Sequence, residues 1–415
     1  MTRAVAAAGA ALALAGSGSA AAPHQNADVA ADVQMLAAEM ERLHPNLFHA
    51  VSREEFRGAV ERVLARLPAL SREEALVEVM RLAALPGERD GHTGVYPFDA
   101  AHRPALHGYP IRVHRFADGT FVVAEQGDSG LVGSRLVAID GVPLADVVDR
   151  VRPLVHRDND MTVQARLPEW LVTAEILHGL GVTATAERAT FAFEDAEGRR
   201  REVVFEPIPA AEHLCTLGSW HDAPVSRKRP LFARYLGRPW AVTTVANGTV
   251  AYMAYNQVNR GVVEAADKLV ALARRSKVRR VVLDVRFNGG GDNTTYSPLL
   301  AAVSRRAIDR PRRLVLLIGR GTFSAAANFA SDVERHTGAV LVGEPTGGSP
   351  SQWGDATSVF LPSLGLSVRV ATAYHEFGPP GDSRATLDAD VPVPVTSADF
   401  LTGRDPVLAA AVRLP

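Results

Sequence analysis

An α/β fold built on a parallel βαβαβ core is predicted by the stretch from Lys277 to Gly348, and three observations predict it. Three short aliphatic runs, Val281 to Val285, Leu314 to Ile318 and Ala339 to Val342, are each bounded by charge or glycine, as suits strands buried on both faces. Between them, Ser297 to Val303 and Ala325 to Val333 carry apolar residues at helical spacing, giving two crossover helices. Each helix follows a glycine-bearing loop, Asn288-Gly289-Gly290-Gly291 and Gly321-Thr322-Phe323-Ser324.

In an open parallel sheet, reactive groups gather where strand C-termini meet helix N-termini, because loops and unpaired N–H groups converge there. Both loops stand at such points. Glycines let the backbone approach a substrate and expose its N–H groups. Ser324 stands at or near a helix start, where the helix-end field and the next backbone N–H can stabilise an oxyanion. Taken singly, a serine before alanines is most often an N-cap, and a glycine triplet is more often a turn or a phosphate cradle. No Walker lysine follows the glycines, which disfavours a nucleotide.

The elements upstream fall into separate stretches, and 415 residues are long for one domain. Residues 1–22 carry one arginine, an apolar Ala/Leu run and a small-residue end, the pattern of a cleavable export signal. No other apolar run approaches a membrane span. Residues 27–100 read as a helical module, with Val33, Leu36, Met40 and Leu43 on one face and capping boxes at Ser52/Glu55 and Ser71/Glu74. Residues 105–208 read as β-rich, with a hairpin turn at Asp118-Gly119, a linker helix from Glu169 to Leu180, and a second hairpin around Asp195. Pro209 to Pro239 is polar and reads as a loop, and 240–415 holds the core, starting with a strand at Thr249 to Gln257. A later hairpin is expected from Ser358 to Tyr374, with His375 and Glu376 in the loop after it.

A net charge of −1 disfavours nucleic acid and anionic membranes as partners. Cys215 is the only cysteine, so no disulfide can form within the chain, and no metal-site spacing or cofactor motif is present.

The pieces VVLDVRFNGGGDN, LIGRGTFSAAANFA and LVGEPTGG resemble the tail-specific (C-terminal-processing) serine protease family. The resemblance implies a ClpP/crotonase-like core, Ser324 as nucleophile, and an oxyanion hole from the N–H of Ala325 and of Gly289 or Gly290. GSRLVAIDGVPLADV resembles the second half of a PDZ domain, but the carboxylate-binding loop is not evident, so the module reads as degenerate and no peptide capture is assigned to it. Many members pair the serine with a lysine about 25 residues later. Here that segment is Glu344-Pro345-Thr346-Gly347-Gly348-Ser349, and no lysine follows Lys277.

Another group must therefore take the serine proton. The tricorn-like branch, which lacks the lysine, uses an upstream histidine, and the resemblance points to His92 in Asp90-Gly91-His92-Thr93. That branch has a serine before the histidine where this chain has Gly91. Glu376, by analogy with that branch, and Asp90 are equal candidates for the acid that orients the base. His375 is a second candidate base, whereas His336 lies 12 residues past Ser324 on one helix, about 18 Å away.

The expected function is an exported serine peptidase acting on peptide or protein substrates through an acyl-enzyme, without a cofactor. The rival from another class is a non-catalytic protein binding peptides or apolar ligands on the same scaffold. The two differ in whether His92 and Ser324 meet within hydrogen-bond distance. Acyl chemistry on a thioester is a third reading, disfavoured by the export signal.

Overall fold

A computed structural model describes residues 23–415 apart from 105, 128, 218–228 and 307. The export-signal expectation for residues 1–22 lies outside the described residues.

The aliphatic runs form the centre of a six-stranded sheet. Its strands are Trp240–Val245, Val250–Tyr255, Arg280–Asp284, Leu314–Ile318, Val340–Gly343 and Val391–Pro392, in the same order in space as in the chain. Neighbours pair in parallel except the first two, which are antiparallel. Alternation along each strand sorts the side chains. Val281, Leu283, Leu314 and Leu316 pack with Leu269, Leu299 and Phe329 of the helices Val262–Ala273, Ser297–Val303 and Ala325–His336. Val282, Val315 and Leu317 point the other way, onto Val407 and Ala411 of the C-terminal helix Pro406–Arg413. Both faces are covered, so both phases of each strand must be apolar. Each fully buried leucine contributes about 1.5–3 kcal/mol.

Upstream, the helices Pro23–Leu43, Arg53–Arg66 and Arg72–Ala83 form the helical region, and both expected capping boxes are present, at Ser52/Glu55 and Ser71/Glu74. A second, antiparallel sheet is built on Ile111–Phe116, Gly119–Glu125, Arg135–Ile139, Ala189–Glu194 and Arg200–Phe205, with the first hairpin turning at Asp118. Helices and sheet share one apolar cluster that includes Met40, Phe56, Trp170 and Phe191. Val359, Leu361, Val368 and Val370 of the hairpin Thr357–Leu361/Leu366–Val370 enter the same cluster. A segment C-terminal to Ser324 therefore plugs into the core of the upstream half.

Three local expectations are corrected. The single linker helix is two helices, Asp160–Trp170 and Ala174–Gly179, because Asn159 caps the first by accepting from Thr162 N–H and Thr173 Oγ1 donates to the Glu169 carbonyl at the break. The polar loop region begins with a helix, Ala210–Leu217. His375 and Glu376 lie on a strand, Ala373–Glu376, not in a loop. That strand pairs with Ser351–Gly354, placing His375 opposite Gln352.

Candidate active site

The two glycine-bearing loops meet at the C-terminal edge of the main sheet. Asn288 fastens them. Its side-chain amide donates to the Tyr255 carbonyl at 2.9 Å, its own carbonyl accepts from Phe323 N–H at 3.1 Å, and its Oδ1 accepts from Gly290 N–H at 3.0 Å. Gly290, at φ 112°, lies so close to the Ser324 loop that an added Cβ would stand 2.7 Å from Ser324 Cβ and 3.0 Å from Ala325 N. Ser324 itself adopts φ 53° and ψ −132° at the start of the helix Ala325–His336. Such a conformation is costly for a residue with a Cβ and survives only where its surroundings enforce it. Enforcement comes from three sides: Asn288 behind Phe323, Gly348 N–H donating to the Thr322 carbonyl at 2.9 Å, and Gln352 Nε2 donating to the Ser324 carbonyl at 3.1 Å.

His92, 232 residues earlier, brings Nε2 to 3.1 Å from Ser324 Oγ. Its ring stacks on Phe323, centroids 4.7 Å apart, and the Arg166 guanidinium stands 4.9 Å from the same Phe323 ring. Burial, with Arg166 adding repulsion, lowers the His92 pKa to about 4, so the ring is neutral at neutral pH. The charge of Asp90 and the Trp353 backbone favour the cation, but Nδ1 has no hydrogen-bond partner of normal geometry among the described residues.

The orienting acids expected from the sequence do not reach this ring. Asp90 is buried and spends its carboxylate elsewhere, with Oδ1 accepting from Thr93 N–H at 3.1 Å and Oδ2 standing 3.2 Å from His44 Nε2. Glu376 is exposed on its strand, and no hydrogen bond joins it to His92. The rival base His375 faces Asn293 and Asp355, each at 3.2 Å, and not Ser324. Of the two candidate oxyanion glycines, Gly290 has its N–H on Asn288, whereas the amides of Gly289 and Ala325 enter no hydrogen bond among the described residues.

Sequence reading missed the residues that hold the His92 segment in place. Asp158, fully buried, accepts from Gly91 N–H at 2.6 Å and from Ser349 N–H at 3.1 Å. Arg166, on the helix that follows, donates to the His156 carbonyl at 2.7 Å and to Tyr96 Oη at 3.3 Å. The one available signal was the run Asp158-Asn159-Asp160-Met161-Thr162, a helix start with more acceptors than a cap needs. No group of three or more His, Cys, Asp or Glu among the described residues could hold a metal ion. A cavity of about 260 Å³ lies off this centre, lined by Phe287 and Gly321 from the two loops together with Phe116 and Phe400, without Ser324 or His92 in its wall.

Residues 293–380, which include Ser324, match the model of peptidase family S41. Over that stretch the chain is similar to the family. The match supports a serine-type peptidase. Among solved structures, a CPAF mutant superposes with a TM-score of 0.66 at 13% identity, covering 94% of this chain and 99% of that one. Mature CPAF superposes at 0.60 with 14% identity, covering 92% and 95%. The same protein complexed with lactacystin gives 0.60 at 14%, covering 91% and 96%. At these identities the likeness is one of fold. No curated protein matches this chain.

Proposed function

We propose that this protein is an exported serine peptidase of the S41 type in which Ser324 is the nucleophile and His92 the general base, acting on peptide bonds of peptide or protein substrates. The approach of His92 Nε2 to Ser324 Oγ, 3.1 Å, carries this reading. A neutral imidazole takes the hydroxyl proton as Oγ attacks the carbonyl, then returns it to the leaving amine. The tetrahedral oxyanion sits against the amides of Ala325 and Gly289, which have no partner to give up among the described residues. Burial beside Arg166 makes His92 a weak base, and the charge of Asp90 offsets this only in part. Export rests on the pattern of residues 1–22.

The deciding experiment is labelling of the mature protein with a fluorophosphonate probe, alongside casein hydrolysis. Wild type should label and hydrolyse. Ser324→Ala should do neither while keeping its fold, and His92→Ala should label at least about 100-fold more slowly. Wild-type hydrolysis by Ser324→Ala would exclude the mechanism, and a folded wild type that neither labels nor cleaves would favour the non-catalytic binding reading.

A further inference from the structure

Asp158 touches no reacting atom, yet its carboxylate sits between the segment that carries His92 and the loop Thr346–Ser349, which packs behind Ser324. One oxygen accepts from the N–H of Gly91, the residue before His92, at 2.6 Å. The other accepts from Ser349 N–H at 3.1 Å, next to Gly348, whose own N–H holds the Thr322 carbonyl two residues before Ser324. The backbone around Asp158 repeats the link. Its carbonyl accepts from Arg89 N–H at 2.9 Å, the Arg157 carbonyl accepts from Asp90 N–H at 3.2 Å, and Asn159 Nδ2 donates to the carbonyls of Thr346 at 3.2 Å and Gly347 at 3.1 Å.

We propose, on the reading of Ser324 and His92 as nucleophile and base, that Asp158 is a positioning residue whose ionised carboxylate clasps the His92 segment to the Gly347–Ser349 loop and so sets the imidazole against the hydroxyl. The chemistry requires a group that only accepts. Two N–H donors converge on it, and an amide or a protonated acid would turn a donor toward one of them. In a buried site the N–H left over is costly, so one loop would let go. Neighbouring charges make this clasp sensitive to pH. Burial raises the Asp158 pKa to about 7, opposed by the two N–H groups and by Arg166 on the helix that follows and reinforced by Asp90 on the His92 segment. The loop Thr346–Ser349 brings no titratable side chain. His92, lowered to about 4, does not titrate near neutrality.

The test measures fluorophosphonate labelling, as kinact and KI from pH 5 to pH 9, on the mature wild type, Asp158→Asn and Ser324→Ala. In wild type kinact should fall as pH drops through about 7. In Asp158→Asn it should be about 100-fold lower at pH 8, with KI little changed and the limb near neutrality gone. A purely structural residue would scale the rate without removing that limb. Asp158→Asn labelling at the wild-type rate, or keeping the wild-type limb, overturns the clasp. Ser324→Ala labelling as wild type overturns instead the reading of the site. Should Asp158→Asn fail to fold, amide exchange of wild type decides: the segments holding Gly91 and Ser349 should lose protection together between pH 8 and pH 5.5, after correction for intrinsic exchange, and unchanged protection overturns the proposal.

Discussion

At Ser324 the backbone carries strain that a neighbouring glycine makes tolerable. Gly290 leaves room beside Ser324 Cβ, where any side chain would stand 2.7 Å away, and its φ of 112° is itself one that L-residues rarely adopt. Gly290→Ala should therefore cost about 1–3 kcal/mol of stability and reduce probe labelling at least about 100-fold, measured by urea denaturation and labelling rate. Gly91 invites a less obvious experiment, since the resemblance expects serine there. An added Cβ would meet the Phe323 ring at 2.8 Å and Asp158 Oδ1 at 2.9 Å, so the space a serine would occupy is filled by the ring on which His92 stacks. Gly91→Ser should thus lower labelling about tenfold or more and not enhance it. A faster Gly91→Ser enzyme would mean that Phe323 yields and that the missing serine is all the base lacks.

Among the elements, the strand Arg280–Asp284 matters most, because it ends in a buried charge cluster from which the glycine loop departs. Arg286 bonds Asp284 through Nε at 2.9 Å and Nη2 at 2.6 Å, and Asp405 through both Nη atoms at 2.9 Å. Tyr252 Oη donates to the same Asp284 at 2.7 Å, and Asp405 caps the C-terminal helix by accepting from Leu408 N–H at 2.9 Å. Loop, sheet and terminal helix are joined at one guanidinium. Arg286→Met strands two buried carboxylates and should destabilise the fold by about 3–5 kcal/mol, read from the urea midpoint, with labelling falling in parallel. A loss below about 1 kcal/mol would mean that water already reaches the cluster. The three central strands were legible in the sequence because burial on both faces makes them continuously apolar. The pair Ser351–Gly354 and Ala373–Glu376 was not, since Ser-Gln-Trp-Gly is buried by contact with the site and not by a hydrophobic pattern of its own. That is why His375 and Glu376 were expected in a loop.

Across the whole molecule, Ser324 and the glycine loop could be read because they are local in sequence, whereas the His92 segment, Asp158 and Gln352 converge on Ser324 from distant parts of the chain and leave no shared pattern. The same packing buries histidines throughout the upstream half, and this sets the dependence of stability on acid. Burial lowers the pKa of His92 to about 4, of His213 to about 4 and of His156 well below its ordinary value, and it lowers His102, whose Nδ1 accepts from Ser367 N–H at 3.1 Å. Below pH 6.5 the unfolded chain protonates these imidazoles while the fold keeps them neutral, so their contribution is whole above 6.5 and is lost as pH falls toward about 4. Asp158 and Glu169, both raised by burial, act the other way: the fold retains protons that the unfolded carboxyls release, a contribution present at low pH and lost, for Asp158, as pH rises from 3.8 to about 7. Four imidazoles outweigh two carboxyls, and the melting temperature should fall by at least about 2 °C from pH 7 to pH 5. His213 isolates the cause, because it lies away from Ser324 and its Nε2 needs only to donate to the Ile111 carbonyl at 3.0 Å, which a glutamine amide can also do. His213→Gln should therefore flatten the decline by about one proton's worth, whatever its effect on stability at pH 7. A melting temperature that rises on acidification in wild type would show that the buried carboxyls dominate, and an unaltered slope in His213→Gln would show that this imidazole is already protonated in the fold.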